Sequence, residues 1–81
     1  MSENTLPPNL KLGTYRHNKS GKLYDVIGIA LETESDQAMV VYRPLYAHEF
    51  SYELFTRPYD MFVEQVQLNG QMMPRFEKTD D

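Results

Sequence analysis

The chain contains no cysteine. That excludes a disulfide framework, a thiolate metal site and a thiol nucleophile. No apolar run approaches the ~20 residues that span a bilayer. The first residues, Met1-Ser2-Glu3-Asn4-Thr5, carry an acid and no basic segment, so they do not read as a secretory signal. Small secreted domains usually rely on disulfides for stability. The expectation is therefore a soluble protein of the reducing cytoplasm, away from membranes.

Catalytic signatures are missing as well. There is no Gly-x-Ser-x-Gly turn, and the serines (Ser2, Ser20, Ser35, Ser51) stand in polar or terminal contexts. Neither Gly-x-x-x-x-Gly-Lys nor Gly-x-Gly-x-x-Gly occurs, so no loop of that kind cradles phosphate. His17 and His48 are far apart with no paired spacing, which does not read as a metal site. No carboxylate lies within an apolar run that would raise its pKa for acid–base work. No enzyme activity, cofactor or metal is expected.

Eighty-one residues allow one domain. A chain this short buries only roughly 60% of the surface that its unfolded form exposes. Six tyrosines and four phenylalanines supply the bulk for a core, so the chain should fold despite its charge. Net charge is −4, unevenly spread. Lys11, Arg16, Lys19 and Lys22 form a stretch without an acid, and the remainder is correspondingly acidic. The stretch is either a solvated loop or a patch for an anionic partner.

The residue pattern predicts strands. Residues 1–9, with Pro7-Pro8, read as a flexible leader. In Gly13–His17, Tyr15 and His17 share one face and Arg16 takes the other. Asn18-Lys19-Ser20-Gly21 is a turn. Leu23 to Thr33 has apolar residues on both faces and a glycine, Gly28, in its middle. It reads as a long strand that bends or bulges, with each face buried for part of its length. Met39–Tyr46 follows after a polar hairpin turn and reads as the central strand, with Pro44 near its end. Phe50–Thr56 reads as the next strand. Arg57-Pro58 breaks it into one turn of 3₁₀ helix. Phe62–Leu68 is a strand, and Asn69-Gly70 predicts a type I′ turn back into Gln71–Met73. Phe76 is placed to lie on the core, and residues 77–81 form a charged tail. The expectation is an all-β domain over residues 10–76: an SH3-like barrel or roll of five to six antiparallel strands with one short 3₁₀ turn.

Gly13-x-Tyr15-x-His17-x-Lys19, then Tyr24, Met39-Val40-Val41-Tyr42-Arg43-x-Leu45-Tyr46, Arg57-Pro58-x-x-Met61-Phe62 and Pro74-Arg75-Phe76 occur in this order. This set resembles the small bacterial proteins grouped as domain of unknown function 1653, over roughly residues 13 to 76. Pro44 stands where that family commonly has alanine, and Phe55 where it commonly has tryptophan. The resemblance implies an SH3-like β roll and brings no activity with it.

The candidate binding residues are Tyr15, Arg16, His17, Lys19, Lys22, Tyr24, Tyr42, Arg43 and Arg57. Tyr15, His17 and Tyr24 would form a stacking surface for bases, with Arg16, Lys19 and Lys22 on the phosphates of a single-stranded nucleic acid. Arg43 among apolar neighbours reads as a clamp on Glu32, Glu53 or Glu64, or as a guanidinium at a pocket floor. Arg57, ahead of Pro58, and Arg75, ahead of Phe76, pose the same choice. The competing reading is a protein-interaction module, monomeric or weakly dimeric, that binds an extended peptide or a second copy of itself.

Overall fold

The computed structural model describes residues 8–79. Along the chain come β1 (Gly13–His17), β2 (Leu23–Glu32), β3 (Gln37–Pro44), β4 (Phe55–Pro58), α1 (Tyr59–Phe62), β5 (Gln65–Leu68), β6 (Gln71–Pro74) and β7 (Phe76–Lys78). The domain is all-β, as expected, with seven strands rather than five or six. Five form an antiparallel sheet in the order β4-β3-β2-β1-β7, and β5 and β6 form a separate pair. The large sheet curls into a half-barrel, an arrangement compatible with an SH3-like roll. The expected leader, residues 1–9, falls largely outside the described residues.

The middle strand is β2, not the Met39–Tyr46 segment, which as β3 lies one place from the edge. The ten residues of β2 pair with both β1 and β3. Its register jumps from Val26↔Tyr42 to Gly28↔Val41, so Ile27 is the extra residue of a β-bulge. The bulge exchanges the faces. Tyr24 and Val26 point inward before it, and Ile29 packs on the core after it. This is why both faces of the segment read as apolar in the sequence.

The core consists of Tyr15, Val26, Val40, Tyr42, Phe62 and Phe76. Phe62 and Phe76 stack with centroids 4.1 Å apart and planes at 7°. Phe62 reaches this position from α1. The Val63 amide donates to the Tyr59 carbonyl at 3.1 Å, four residues back, so the turn is α-helical rather than the expected 3₁₀. The expected strand Phe62–Leu68 begins only at Gln65, because Phe62 ends the helix.

The expected strand Phe50–Thr56 is also displaced. Residues 45–54 are irregular, and β4 starts at Phe55 and runs through Arg57 and Pro58. As an edge strand, β4 tolerates a proline that an interior strand would not. Asn69 (φ 53°) and Gly70 (φ 78°) form the predicted β5–β6 turn, with both residues in the left-handed region. Glu77 and Lys78, assigned from sequence to a charged tail, pair with Arg16 and Tyr15 as part of β7.

Candidate functional site

Strand alternation selects which side chains meet on the inner face of the sheet. Tyr15 and His17 point there from β1, Tyr24 from β2, Tyr42 from β3 and Arg57 from β4. They gather around Phe76. Its ring centroid is 4.8 Å from His17, 5.7 Å from Tyr24 and 5.7 Å from Tyr42. The Arg57 guanidinium lies 5.4 Å above the same ring, and its Nε donates to the Tyr42 hydroxyl at 3.4 Å. A cation over a ring face is held by the ring quadrupole. Tyr15 lies deeper, buried beside Phe62, and its hydroxyl donates to the Lys11 carbonyl at 2.7 Å. It supports the face from within the core.

The other candidates lie elsewhere. Arg16 points to the outer face, where it pairs with Glu77 at 3.2 Å and donates to the Asn18 side chain at 3.0 Å. Lys19 is exposed in the β1–β2 turn. The Lys22 ammonium rests 4.5 Å above the Tyr46 ring.

Arg43 corrects an expectation. It is exposed on the outer face, opposite Asp25 in register, and makes no salt bridge to another described residue. Tyr42 and Pro44 take the inward positions of β3, so alternation turns Arg43 outward. The proposed partners are engaged differently. Glu32 accepts the Ser35 amide at 3.1 Å, and Glu64 holds Arg75 at 2.9 Å.

Electrostatics sets the inner face apart. The pKa of His17 is lowered by burial, then by Arg57, Arg75 and Lys19 nearby. Burial and the 2.8 Å hydrogen bond to the Tyr46 hydroxyl push the Tyr24 hydroxyl well above its ordinary range. Burial, then Tyr59, raises Tyr15. Among the described residues no carboxylate forms a salt bridge with Arg57. Arg75 has a partner for one end only: its Nε is buried and has no hydrogen bond. Arg57, with no carboxylate partner among the described residues, and the free Nε of Arg75, whose other end is held by Glu64, are donors that suit an anion. The Nδ1 of His17 lies 3.0 Å from the Ser20 hydroxyl at the edge of the face. Among the described residues no three histidine or carboxylate side chains converge as metal ligands.

Sequence reading placed some of these residues incompletely. Phe76 lies at the centre of the face, although the sequence marked it only as a core contact, and Arg75, read as a clamp or a ligand group, is paired with Glu64. The aromatic loop 45–54 reads in the sequence as the end of one strand, a connection at residues 47–49 and the start of another strand at Phe50, whereas all of it is irregular. Its Tyr46, His48 and Phe50, with Lys22 and Glu49, line an open groove of about 560 Å³ beside the basic turn.

The geometry can be set beside known proteins. Among curated proteins none matches the chain. The crystal structure of a DUF1653 protein from Bordetella bronchiseptica is similar over 88% of each chain, with 34% sequence identity and a TM-score of 0.80. A family model described as "Protein of unknown function (DUF1653)" matches residues 13–78, the span from the first residue of β1 to the last of β7. The aromatic face and the strands that build it thus lie within the matched region, and the chain belongs to the DUF1653 family.

Proposed function

We propose that the domain is a non-catalytic binding module that takes a polyanion, with single-stranded nucleic acid as the leading class, at the inner face around His17, Arg57 and Arg75. The observation that carries this reading is the Arg57 guanidinium, which makes no salt bridge to a described carboxylate. Arg75 is paired with Glu64 at 2.9 Å, but its Nε is buried without a partner and adds a free donor. Lys19 and Lys22 extend the positive charge along the adjoining turn, where phosphates could follow it. The half-buried rings of Tyr24 and Tyr46 are the surfaces available for stacking. The absence of cysteine accords with a cytoplasmic setting.

The net charge of −4 argues against a general nucleic-acid binder, which carries a basic stripe and a high pI. The reading is therefore of a local site. A second reading, a protein-interaction module, has its own support in the exposed Phe50 and Tyr52, 61% and 75% exposed.

An amide chemical-shift titration with short mixed single-stranded DNA and RNA, at low and high salt, separates the two. Shifts confined to His17–Tyr24, Arg57 and Arg75 that disappear with salt support the polyanion site. No shift at low salt sinks it.

A further inference from the structure

A second pocket adjoins the groove of Lys22 and Tyr46 and shares Phe50 with it. Tyr42, Phe50, Tyr52, Phe55 and Thr56 line a depression of about 370 Å³, and no charged residue is among them. Its rings stand nearly at right angles. The planes of Tyr42 and Phe55 meet at 88° with centroids 5.9 Å apart, and those of Phe50 and Phe55 at 84° and 5.9 Å. Perpendicular aromatic walls form the sides of a box whose π-faces attract a cation, and alkylated ammonium groups are the ligands such boxes take.

Charge favours the same occupant. Between Arg43 and Arg57 the chain carries Glu49 and Glu53 and no lysine or arginine. The neighbouring Tyr46 already holds an ammonium, that of Lys22, at 4.5 Å. Arg57 lies over Phe76 on the inner face and reaches only the Tyr42 hydroxyl, at 3.4 Å. The geometry points to a binding site for an alkylated ammonium group in the depression walled by Phe50, Tyr52 and Phe55, with the buried Tyr42 at its floor. This site shares Tyr42 with the inner face, where Arg57 donates to the Tyr42 hydroxyl, but it takes a cation and does not rest on the anion reading.

The test is an amide titration of the full chain with choline chloride and, in parallel, with 3,3-dimethylbutan-1-ol, its uncharged isostere, at constant ionic strength. Choline is expected to shift Phe50, Tyr52 and Phe55 saturably, and the alcohol to bind about fivefold more weakly or less. Phe50→Leu keeps an apolar wall and removes the π-face. It should weaken choline about fivefold and leave the alcohol unchanged. Phe50 is largely exposed, so the variant should melt like the parent, which a thermal scan checks.

A third arm uses a short peptide with one trimethyl-lysine. Tighter binding than choline assigns the ammonium to a protein partner, and weaker binding assigns it to a small free cation. Equal affinity for choline and the alcohol overturns the proposal, because the pocket is then merely apolar. So does the absence of any shift at roughly 100 mM choline, since affinity weaker than that is negligible.

Discussion

Two aromatic regions of this domain share residue types and differ in their neighbours. Around Phe76 the rings are buried or half-buried, and the charges beside them are Arg57, Arg75 with its partner Glu64, and the basic turn. In loop 45–54 the rings of Phe50 and Tyr52 are exposed, and the full charges are Glu49 and Glu53. The first region spans β1, β2, β3, β4 and β7, so its geometry is set by sheet register. The second is one irregular segment resting on Phe55. An aromatic ring is thus core, stacking platform or cage wall according to its neighbours. Its place in the sequence does not distinguish these roles.

The sharpest break between the regions should come from stability. Phe62, 1% exposed and stacked on Phe76, leaves a cavity on truncation. Phe62→Ala should cost about 3–5 kcal/mol, enough to unfold much of so small a domain. Phe50→Ala in the loop should stay within about 0.5 kcal/mol. Urea denaturation of both variants measures the contrast, and equal losses would mean that the loop belongs to the core.

Next in size is the loss of charge at the inner face. Arg57→Gln should reduce single-stranded nucleic-acid affinity roughly 10- to 100-fold, the worth of a hydrogen bond to a charged group. It should leave choline binding in the loop unchanged. Fluorescence anisotropy with a labelled oligonucleotide reads the first effect and the amide titration the second. A loss of both would show that the two regions act as one site.

The pH dependence follows in size. Burial and nearby cations hold the pKa of His17 below its ordinary 6.5 in the folded state. The unfolded chain therefore binds the proton more readily. The His17 contribution is complete above 6.5 and declines as pH falls from there toward the depressed folded value. His17→Asn should flatten that part of the stability profile. A bound anion stabilises the imidazolium, so polyanion affinity should rise as pH falls, and the His17 ring resonances should titrate at higher pH in the complex. An unchanged titration would place the anion elsewhere.

The smallest effect is expected on the outer face. Arg43→Met should change stability by no more than about 0.5 kcal/mol, as at other exposed positions, and should not alter oligonucleotide affinity. A large loss of binding would move the site to the convex side of the sheet.

The local signals in the sequence were reliable where the cause was local. Asn69-Gly70 specified its turn because few dipeptides accept two successive positive φ angles. Tyr15 and His17 could be placed on one face because the side-chain period of a strand is two. The two apolar faces of Leu23–Thr33 indicated a strand with each face buried in part, and the Ile27 bulge supplies the physical cause. The motifs around Tyr15, Tyr42, Arg57 and Phe76 marked the family and, through it, the roll.

Other features depended on contacts that no local window contains. Phe50 and Tyr52 alternate with polar residues as in a strand, yet no neighbouring strand pairs with them. Phe62 entered a helical turn because its ring stacks on Phe76, fourteen positions later in the chain by number. Arg43 and Arg57 are both arginines beside a proline in β strands, and their difference is purely one of register. Arg43 stands opposite Asp25 on the outer face, whereas Arg57 stands opposite the buried Val40 and leans on Phe76. Sequence alone determined the strand-rich class, the turns and the uneven charge. Tertiary structure decided which cation met the aromatic face, because a shift of one residue in register exchanges the two faces of a strand.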